Sequence, residues 1–213
     1  MTSRDLLITG ARNLAIELTP AMVDACLLYQ AELDKWNRKI NLTAIRNEQD
    51  SIVKNMLDSL SYIKGLDPLP GLKIIDLGSG AGFPGLPIKI ARPDVSVALI
   101  ESVAKKASFL RHIIRTLQID VPVMEARVES LYTQLSSAFH VVTARAFANM
   151  RSVVEAGRPF LRKQGVFVLS RGINERLTDL DLAELNIQIK QRLELKLPFS
   201  DHKRAIWVLS IAS

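Results

Sequence analysis

The residues best suited to chemistry form one turn, in which an aspartate and three glycines alternate before a proline: Asp76, Gly78, Gly80, Gly82 and Pro84. Glycine is needed where the backbone takes a positive φ or comes close to a ligand. Pro84 suits the first turn of a helix, where backbone N–H groups have no helical partner. The spacing therefore predicts a strand, a tight turn and a helix start that together bind a cofactor.

Two classes of cofactor fit this turn. The window 80–85 matches the dinucleotide fingerprint G-x-G-x-x-G. The longer frame from Asp76 to Gly82 matches the D-x-G-x-G-x-G turn of S-adenosylmethionine-dependent methyltransferases. The longer frame explains more, because it gives the acid at the strand end a role in holding the amino-acid or ribose group of the cofactor. It favours S-adenosyl-L-methionine as the cofactor, with an NAD-dependent oxidoreductase and a turn without a ligand as the alternatives.

Two later positions are further candidates for cofactor contacts. Glu101 ends the second predicted strand, 19 positions after Gly82. In doubly wound folds that bind nucleosides, an acid at this place accepts hydrogen bonds from ribose hydroxyls. The alternative is a carboxylate that only stabilises the start of the next helix. Residues 126–129 follow the third predicted strand and are placed to contact the adenine.

Length and composition describe an ordinary globular protein of 213 residues, with 48% hydrophobic and 23% charged residues. No apolar stretch approaches the length of a membrane span, and Arg4, Asp5 and Arg12 spoil a secretory signal. The single cysteine, Cys26, excludes an internal disulfide framework and is expected in the core. We therefore expect a cytoplasmic protein that has no membrane partner.

The three histidines lie far apart and lack the spacing of metal ligands, so no metal site is expected. The net charge is +6, and the region 143–176 is rich in cations: Arg145, Arg151, Arg158, Arg162, Lys163, Arg171 and Arg176. This distribution fits either a solvated basic face or a track for nucleic acid whose affinity falls with salt.

The elements that must position these residues alternate between strands and helices after a breaker at 67–71. Strands are predicted at 73–77, 95–100, 121–125, 139–143 and 165–170, with a closing antiparallel hairpin at 186–197 and 204–211. The predicted fold is α/β, a doubly wound Rossmann-like and mostly parallel sheet. An N-terminal helical extension (1–66), with helix starts at Thr19-Pro20 and Asn47, precedes the cofactor-binding domain (67–213).

The end of the fourth strand bears on the type of reaction. Methylation of an exocyclic amine usually employs an Asn/Asp-Pro-Pro-aromatic tetrapeptide there, but this chain has Thr143-Ala144-Arg145-Ala146. Methylation of a pyrimidine carbon needs a cysteine, and Cys26 lies in the wrong region. A ring nitrogen with a free lone pair, such as guanine N7, needs neither, so the sequence is compatible with methylation at N7.

The chain closely resembles the glucose-inhibited division protein B family, bacterial methyltransferases that methylate a guanine N7 of 16S ribosomal RNA. The resemblance lies in the segments 36–37, 40–43, 57–60, 76–87, 101–102, 105–106, 109–110, 127–129 and 145–146. The two prolines within 78–87 make that segment specific, because generic methyltransferases lack them. One departure is Asn55, where many members carry histidine, so the resemblance implies no role for an imidazole there.

The resemblance implies cofactor contacts at Gly78, Phe83, Val128, Glu129 and Arg145. The physical argument adds Asp76 and Gly80 from the turn, and Glu101 from the end of the second strand. Arg145 is expected where donor and target base meet, holding the methionine carboxylate or an RNA phosphate. It is the one residue to which we assign a catalytic, positioning role.

Basic positions that the family presents to RNA correspond to Lys105, Arg127 and Arg204, each of which can also be an ordinary surface cation. The expected partner is 16S ribosomal RNA, within a small-subunit particle, and the protein is expected to be a monomer. A non-catalytic RNA-binding protein with an inactive cofactor pocket is the remaining alternative.

Overall fold

The computed structural model describes residues 1–145 and 149–212. Seven strands form one sheet in the order β3-β2-β1-β4-β5-β7-β6. The first five strands pair in parallel, while β7 is antiparallel to both β5 and β6. The strands are β1 (Lys73–Leu77), β2 (Ser96–Ile100), β3 (Val123–Met124), β4 (Phe139–Ala144), β5 (Leu161–Gly172), β6 (Ile187–Lys196) and β7 (Lys203–Ile211). The predicted doubly wound, mostly parallel sheet with a C-terminal antiparallel hairpin is confirmed.

The helices flank this sheet and extend from the N-terminus. They are α1 (Ser3–Asn13), α2 (Pro20–Ile40), α3 (Glu48–Ser51), α4 (Asp58–Leu60), α5 (Gly85–Ala91), α6 (Ala104–Leu117), α7 (Met150–Gly157) and α8 (Asp179–Glu184). A π-helical segment, Ile52–Leu57, joins α3 to α4, and short 3-10 turns follow at Ser61–Gly65, Val128–Leu131 and Arg158–Phe160. Together α3, the π-helical segment, α4 and the first 3-10 turn form one continuous helical stretch.

Local sequence explains where the N-terminal helices begin. The Thr19 side chain accepts from the backbone N–H of Met22, with Pro20 at the first helical position. The Asn47 side chain accepts from the N–H of Asp50. Both are the expected N-cap interactions, in which a side-chain oxygen satisfies an otherwise unpaired helical donor.

One hydrophobic cluster runs from the N-terminal helices into the sheet, including Cys26 and Leu33 of α2, Leu57 of the π-helical segment, and Ile74 of β1. A second cluster fills the other face of the sheet. The helical extension therefore shares a core with one face of the sheet. Cys26 is buried within that core, as expected, and burial raises its pKa to about 12.

The start of β5 and one short helix differ from the sequence-based expectation. The strand after α7 was predicted at 165–170, but α7 ends at Gly157 and Leu161 already begins β5. Pro159 lies in the intervening 3-10 turn and has no N–H with which to continue a helix. The short helix α8 was not predicted at all, and Ala146 of the predicted motif lies outside the described residues.

Across residues 1–145 and 149–212, no helix is both long and apolar enough to cross a membrane. The same residues contain no group of three or more His, Cys, Asp or Glu side chains arranged to hold a metal ion.

Candidate active site

The glycine turn after β1 takes the conformation that its residue types require. Gly78, Gly80 and Gly82 have φ values of +63°, +61° and +98°, a region that side chains with a Cβ rarely adopt. Hydrogen bonds from the N–H groups of Gly82 and Phe83 to the Ser79 carbonyl, at 2.7 and 3.1 Å, close the turn. The predicted sequence of strand, tight turn and helix is confirmed here.

Glu101, at the end of β2, supports this turn from the neighbouring strand. One carboxylate oxygen accepts from the N–H of Gly80 at 2.8 Å and the other from the N–H of Val103 at 2.7 Å. The side chain is buried. Glu101 therefore joins the turn after β1 to the start of α6. Its predicted contact with a ribose stays a prediction.

Asp76, the last acidic residue before the turn, is fully buried. Its Oδ2 accepts from the N–H of Gly85 at 2.9 Å, and its Oδ1 has no hydrogen-bond partner among the described residues. Burial raises the pKa of Asp76 to about 7, against the lowering effect of the Gly85 hydrogen bond. The carboxyl group is thus close to half-protonated near neutral pH.

We expect Asp76 to make the stability of the protein fall as the pH rises toward neutrality. The unfolded chain titrates near 3.8, so the folded state binds more protons between that pH and about 7. The contribution is fully present below the unfolded pKa and is lost as the pH rises through the folded pKa. Between pH 5 and pH 7 the loss in unfolding free energy is at most about 3 kcal/mol.

Urea unfolding at a series of pH values checks this expectation. Asp76→Asn keeps an oxygen for the Gly85 N–H and removes the titration, so its stability should depend less on pH than that of the wild type. Asp120→Asn, at an exposed position, is the matched control and should follow the wild type. An unchanged pH dependence in Asp76→Asn would contradict the expectation.

A cavity of about 310 Å³ opens beside the turn, at the carboxyl ends of β1, β2 and β3. Its lining brings together Gly78, Val128 and Glu129, three residues predicted from the sequence to contact the cofactor, and also Arg127. In doubly wound sheets, ligands bind at this edge.

Phe83 and Arg145, the other two contacts that the resemblance implies, lie against each other and are not among the residues that line this cavity. The Phe83 ring stacks on Tyr29 of α2 with centroids 5.2 Å apart. The Arg145 guanidinium carbon lies 5.6 Å from the centre of the Phe83 ring, within the range of a cation–π contact. Arg145 follows β4, which pairs with β1, so its position beside the turn follows from the strand order. The side chain of Arg145 is 27% exposed.

The three predicted RNA-facing cations differ in their surroundings. Lys105, in the first turn of α6, and Arg127, on the cavity, are both exposed. Arg204, on β7, is only a quarter exposed and donates from Nε to Asp58 Oδ1 at 2.9 Å. Arg204 is therefore paired inside the protein, and two of the three cations are directly accessible.

Sequence reasoning missed two residues that shape the site. The Tyr29 hydroxyl donates to the Ala81 carbonyl inside the glycine turn, and burial raises the pKa of Tyr29. Asp58 pairs with both Arg145 and Arg204. The only sequence signal for Asp58 was its place in a segment shared with the family, and Tyr29 had none. Asn55, the departure from the family pattern, is buried and donates to the Ser51 hydroxyl.

Comparison with known proteins adds to this geometry. The family model rRNA small subunit methyltransferase G (GidB) matches residues 22–207. A ribosomal RNA small subunit methyltransferase G from Geobacter metallireducens is 39% identical over 212 residues, covering 97% of this chain and 96% of the relative. One from Leptothrix cholodnii is 34% identical over 209 residues, covering 96% and 94%.

Among solved structures, a SAM-dependent methyltransferase from Aquifex aeolicus matches with a TM-score of 0.55 at 11% identity. The match covers 75% of this chain and 92% of the other. At that identity the likeness concerns the fold alone, and it agrees with the Rossmann-like sheet predicted from the sequence.

Proposed function

Since the chain belongs to the rRNA small subunit methyltransferase G family, we propose that it methylates N7 of a guanine in 16S ribosomal RNA. The methyl donor is S-adenosyl-L-methionine, whose sulfonium supplies an electrophilic methyl group when bound. The observation that carries the proposal is the open glycine turn beside Arg145, at an edge of the sheet where the described residues form no acid–base pair.

The polar side chains that contact the end of β4 are engaged in the structure. The Thr143 hydroxyl donates to the Val168 carbonyl, the Tyr62 hydroxyl donates to the Ala144 carbonyl, and Asp58 is paired with Arg145. Among the described residues at this strand end, none is placed as a general base. Guanine N7 already carries a lone pair, so the protein has to align it with the donor and exclude water.

The described residues fit the donor. A Cβ added to Gly80 would meet nothing nearer than the Gly78 carbonyl at 3.9 Å, so the outer face of the turn is open to a ligand. Val128 and Glu129 would flank the adenine in the cavity. Phe83 would form one wall of the donor site. Arg145 would hold the methionine carboxylate through charge-assisted hydrogen bonds.

The two buried acids fit polar groups of the donor. Asp76 Oδ1 has no hydrogen-bond partner among the described residues, and a carboxylate oxygen can accept from an ammonium or hydroxyl group. Glu101 already accepts two N–H groups but keeps further lone pairs for a ribose hydroxyl. Both residues therefore serve the donor in this proposal.

Arg127, exposed on the cavity, and Lys105, exposed in the first turn of α6, are proposed to contact RNA phosphates, and Arg204 contributes positive charge from β7. Affinity for RNA should then fall as the salt concentration rises. Action as a monomer is part of the proposal. A ribosomal RNA substrate supports action in the cytoplasm.

Mass mapping of 16S ribosomal RNA tests the reaction. RNA from cells that lack this protein should be missing one methyl group on a guanine, and the purified protein with labelled donor should restore it. Calorimetry should show that S-adenosylmethionine binds with a micromolar dissociation constant and that NAD does not bind. This result would separate the proposed function from the oxidoreductase alternative. Donor binding without any methyl transfer would instead favour the non-catalytic RNA-binding protein.

The form of the substrate can be tested in the same assay. We propose that the enzyme needs folded RNA in a small-subunit particle. The exposed cations Lys105 and Arg127 offer few contacts with which to bind a flexible strand. Particles should therefore be methylated faster than an oligonucleotide that carries the same guanine. Equal rates for the two would contradict this part of the proposal.

A further inference from the structure

Asp58 lies between two arginines at the edge of the proposed active site. Its side chain is 5% exposed, whereas those of Arg145 and Arg204 are 27% and 25% exposed. Asp58 Oδ1 accepts from Arg204 Nε at 2.9 Å, and Oδ2 lies 3.7 Å from Arg145 Nε. A buried carboxylate is stable only when it is well paired. Asp58 is therefore stabilised by both arginines, more closely by Arg204, and it links the two.

The π-helical segment before Asp58 provides a second contact to Arg145. In an α-helix the N–H of Asp58 would bond to the carbonyl of Lys54. Here that N–H bonds to the carbonyls of Val53 and Asn55 instead. The Lys54 carbonyl accepts from Arg145 Nη2 at 2.5 Å. The wider helical turn thus offers a backbone acceptor to the guanidinium, in keeping with the frequent occurrence of such segments at functional sites.

The same helical stretch also forms a hydrogen bond with the backbone next to Arg145. The hydroxyl of Tyr62 donates to the carbonyl of Ala144 at 3.3 Å. The guanidinium carbon of Arg145 also lies 5.6 Å from the centre of the Phe83 ring in the glycine turn. Arg145 is therefore held between the N-terminal helical stretch and the glycine turn, with its orientation set from both sides.

We propose that Asp58 is a positioning residue that, with the Lys54 carbonyl, aims the guanidinium of Arg145 at the methyl donor. The inference rests on the proposed function, because it assigns Arg145 to the donor carboxylate. It gives the N-terminal helical extension a direct part in building the donor site. Asp58 itself makes no direct contact with the donor or the RNA and acts only through Arg145.

A double-mutant cycle read by donor affinity tests the proposal. Calorimetry with S-adenosylmethionine should give a dissociation constant about tenfold higher for Asp58→Asn than for the wild type, as expected for one weakened charge-assisted hydrogen bond. Arg145→Ala should weaken binding by at least as much. Adding Asp58→Asn to Arg145→Ala should cause no further loss, because Asp58 then has no guanidinium to aim.

A purely structural role for Asp58 would give a different result. Its effect would then be the same with and without Arg145, and an additive cycle would overturn the proposal. Asp58→Glu keeps the charge and should retain most of the donor affinity. If Asp58→Asn folds poorly, a large loss of donor affinity in a folded Asp58→Glu protein would contradict the proposal. Asp24→Asn, which removes an exposed carboxylate paired with Arg4 between α1 and α2, is the matched control and should bind the donor like the wild type.

The outcomes separate this proposal from the proposed function. A wild-type protein that binds the donor but leaves 16S ribosomal RNA unmethylated would refute the function and leave the positioning role standing. Equal donor affinity in the wild type, Asp58→Asn and Asp58→Glu would refute the positioning role alone.

Discussion

Replacing Arg145 by alanine is expected to reduce methyl transfer to 16S ribosomal RNA by at least about 100-fold, the loss that follows when a positioned charged contact worth roughly 3 kcal/mol is removed. Arg145 lies beside the glycine turn, 5.6 Å from the Phe83 ring. In the proposed site, removing Arg145 takes the cation from the donor carboxylate, so that the methyl group is no longer aligned with the attacking nitrogen. Methyl transfer from labelled donor to small-subunit particles measures the effect.

The fold should survive this substitution. Arg145 is partly exposed, and Asp58 keeps its ion pair with Arg204 when Arg145 is gone. Circular dichroism and urea unfolding should therefore show a native protein with a modest loss of stability. Arg145→Lys keeps the charge but loses the planar fork of donors, so it should recover only part of the activity.

Arg115→Ala removes an exposed arginine from the last turn of α6 and is the matched control. It should transfer methyl groups at the wild-type rate. Wild-type activity in a folded Arg145→Ala protein would remove Arg145 from the proposed mechanism.

Replacing Gly82 by alanine is expected to destabilise the protein by about 3 kcal/mol or more and to abolish donor binding. Gly82 has a φ of +98°, where a side chain costs about 1–2 kcal/mol. The added Cβ would also lie 2.6 Å from Leu86 Cδ1 and 2.7 Å from the Tyr29 hydroxyl oxygen. Overpacking of this kind costs a further ~1–3 kcal/mol, and relief of the clash would displace the turn that holds the donor.

Two other glycines separate these effects. At Gly71, with φ of +77°, an added Cβ meets nothing within 4 Å, so Gly71→Ala should report backbone strain alone. At Gly172 the added Cβ likewise meets nothing within 4 Å and φ is not positive, so Gly172→Ala should be near neutral. Urea unfolding and donor calorimetry on all three variants test the ranking. A Gly82→Ala protein as stable as Gly172→Ala would contradict the argument.

Much of the site followed from short stretches of sequence. The alternation of Asp76 and the glycines predicted the strand and turn, and the structure places Gly78, Val128 and Glu129 on one cavity. The start of β5 was not predicted correctly. Leu161 is a good helix residue, and it joins the sheet because Pro159 interrupts the helix and Leu161 pairs with Phe139 of β4.

Contacts between distant parts of the chain were not predictable in this way. Tyr29 and Ala81 are separated by 52 positions, and Asp58 and Arg204 by 146. Such pairs depend on how α2 and the helical stretch dock on the sheet, and a single sequence carries no periodic or spacing signal for docking. The insertion of β7 between β5 and β6 likewise brings Arg204 next to Asp58.

The sequence by itself determined the alternating strands and helices, the glycine turn and its helix, the two N-caps and the family. The strands, helices, turn and N-caps depend on backbone preferences and hydrophobic patterns that act over a few residues, whereas the family followed from the resemblance of its motifs. Only the tertiary structure decided that Asp76 is buried with a raised pKa, that Glu101 supports the turn, and that Asp58 holds Arg145. Burial and pairing of charges depend on which surfaces meet in the folded chain, and that is settled by packing across the whole molecule.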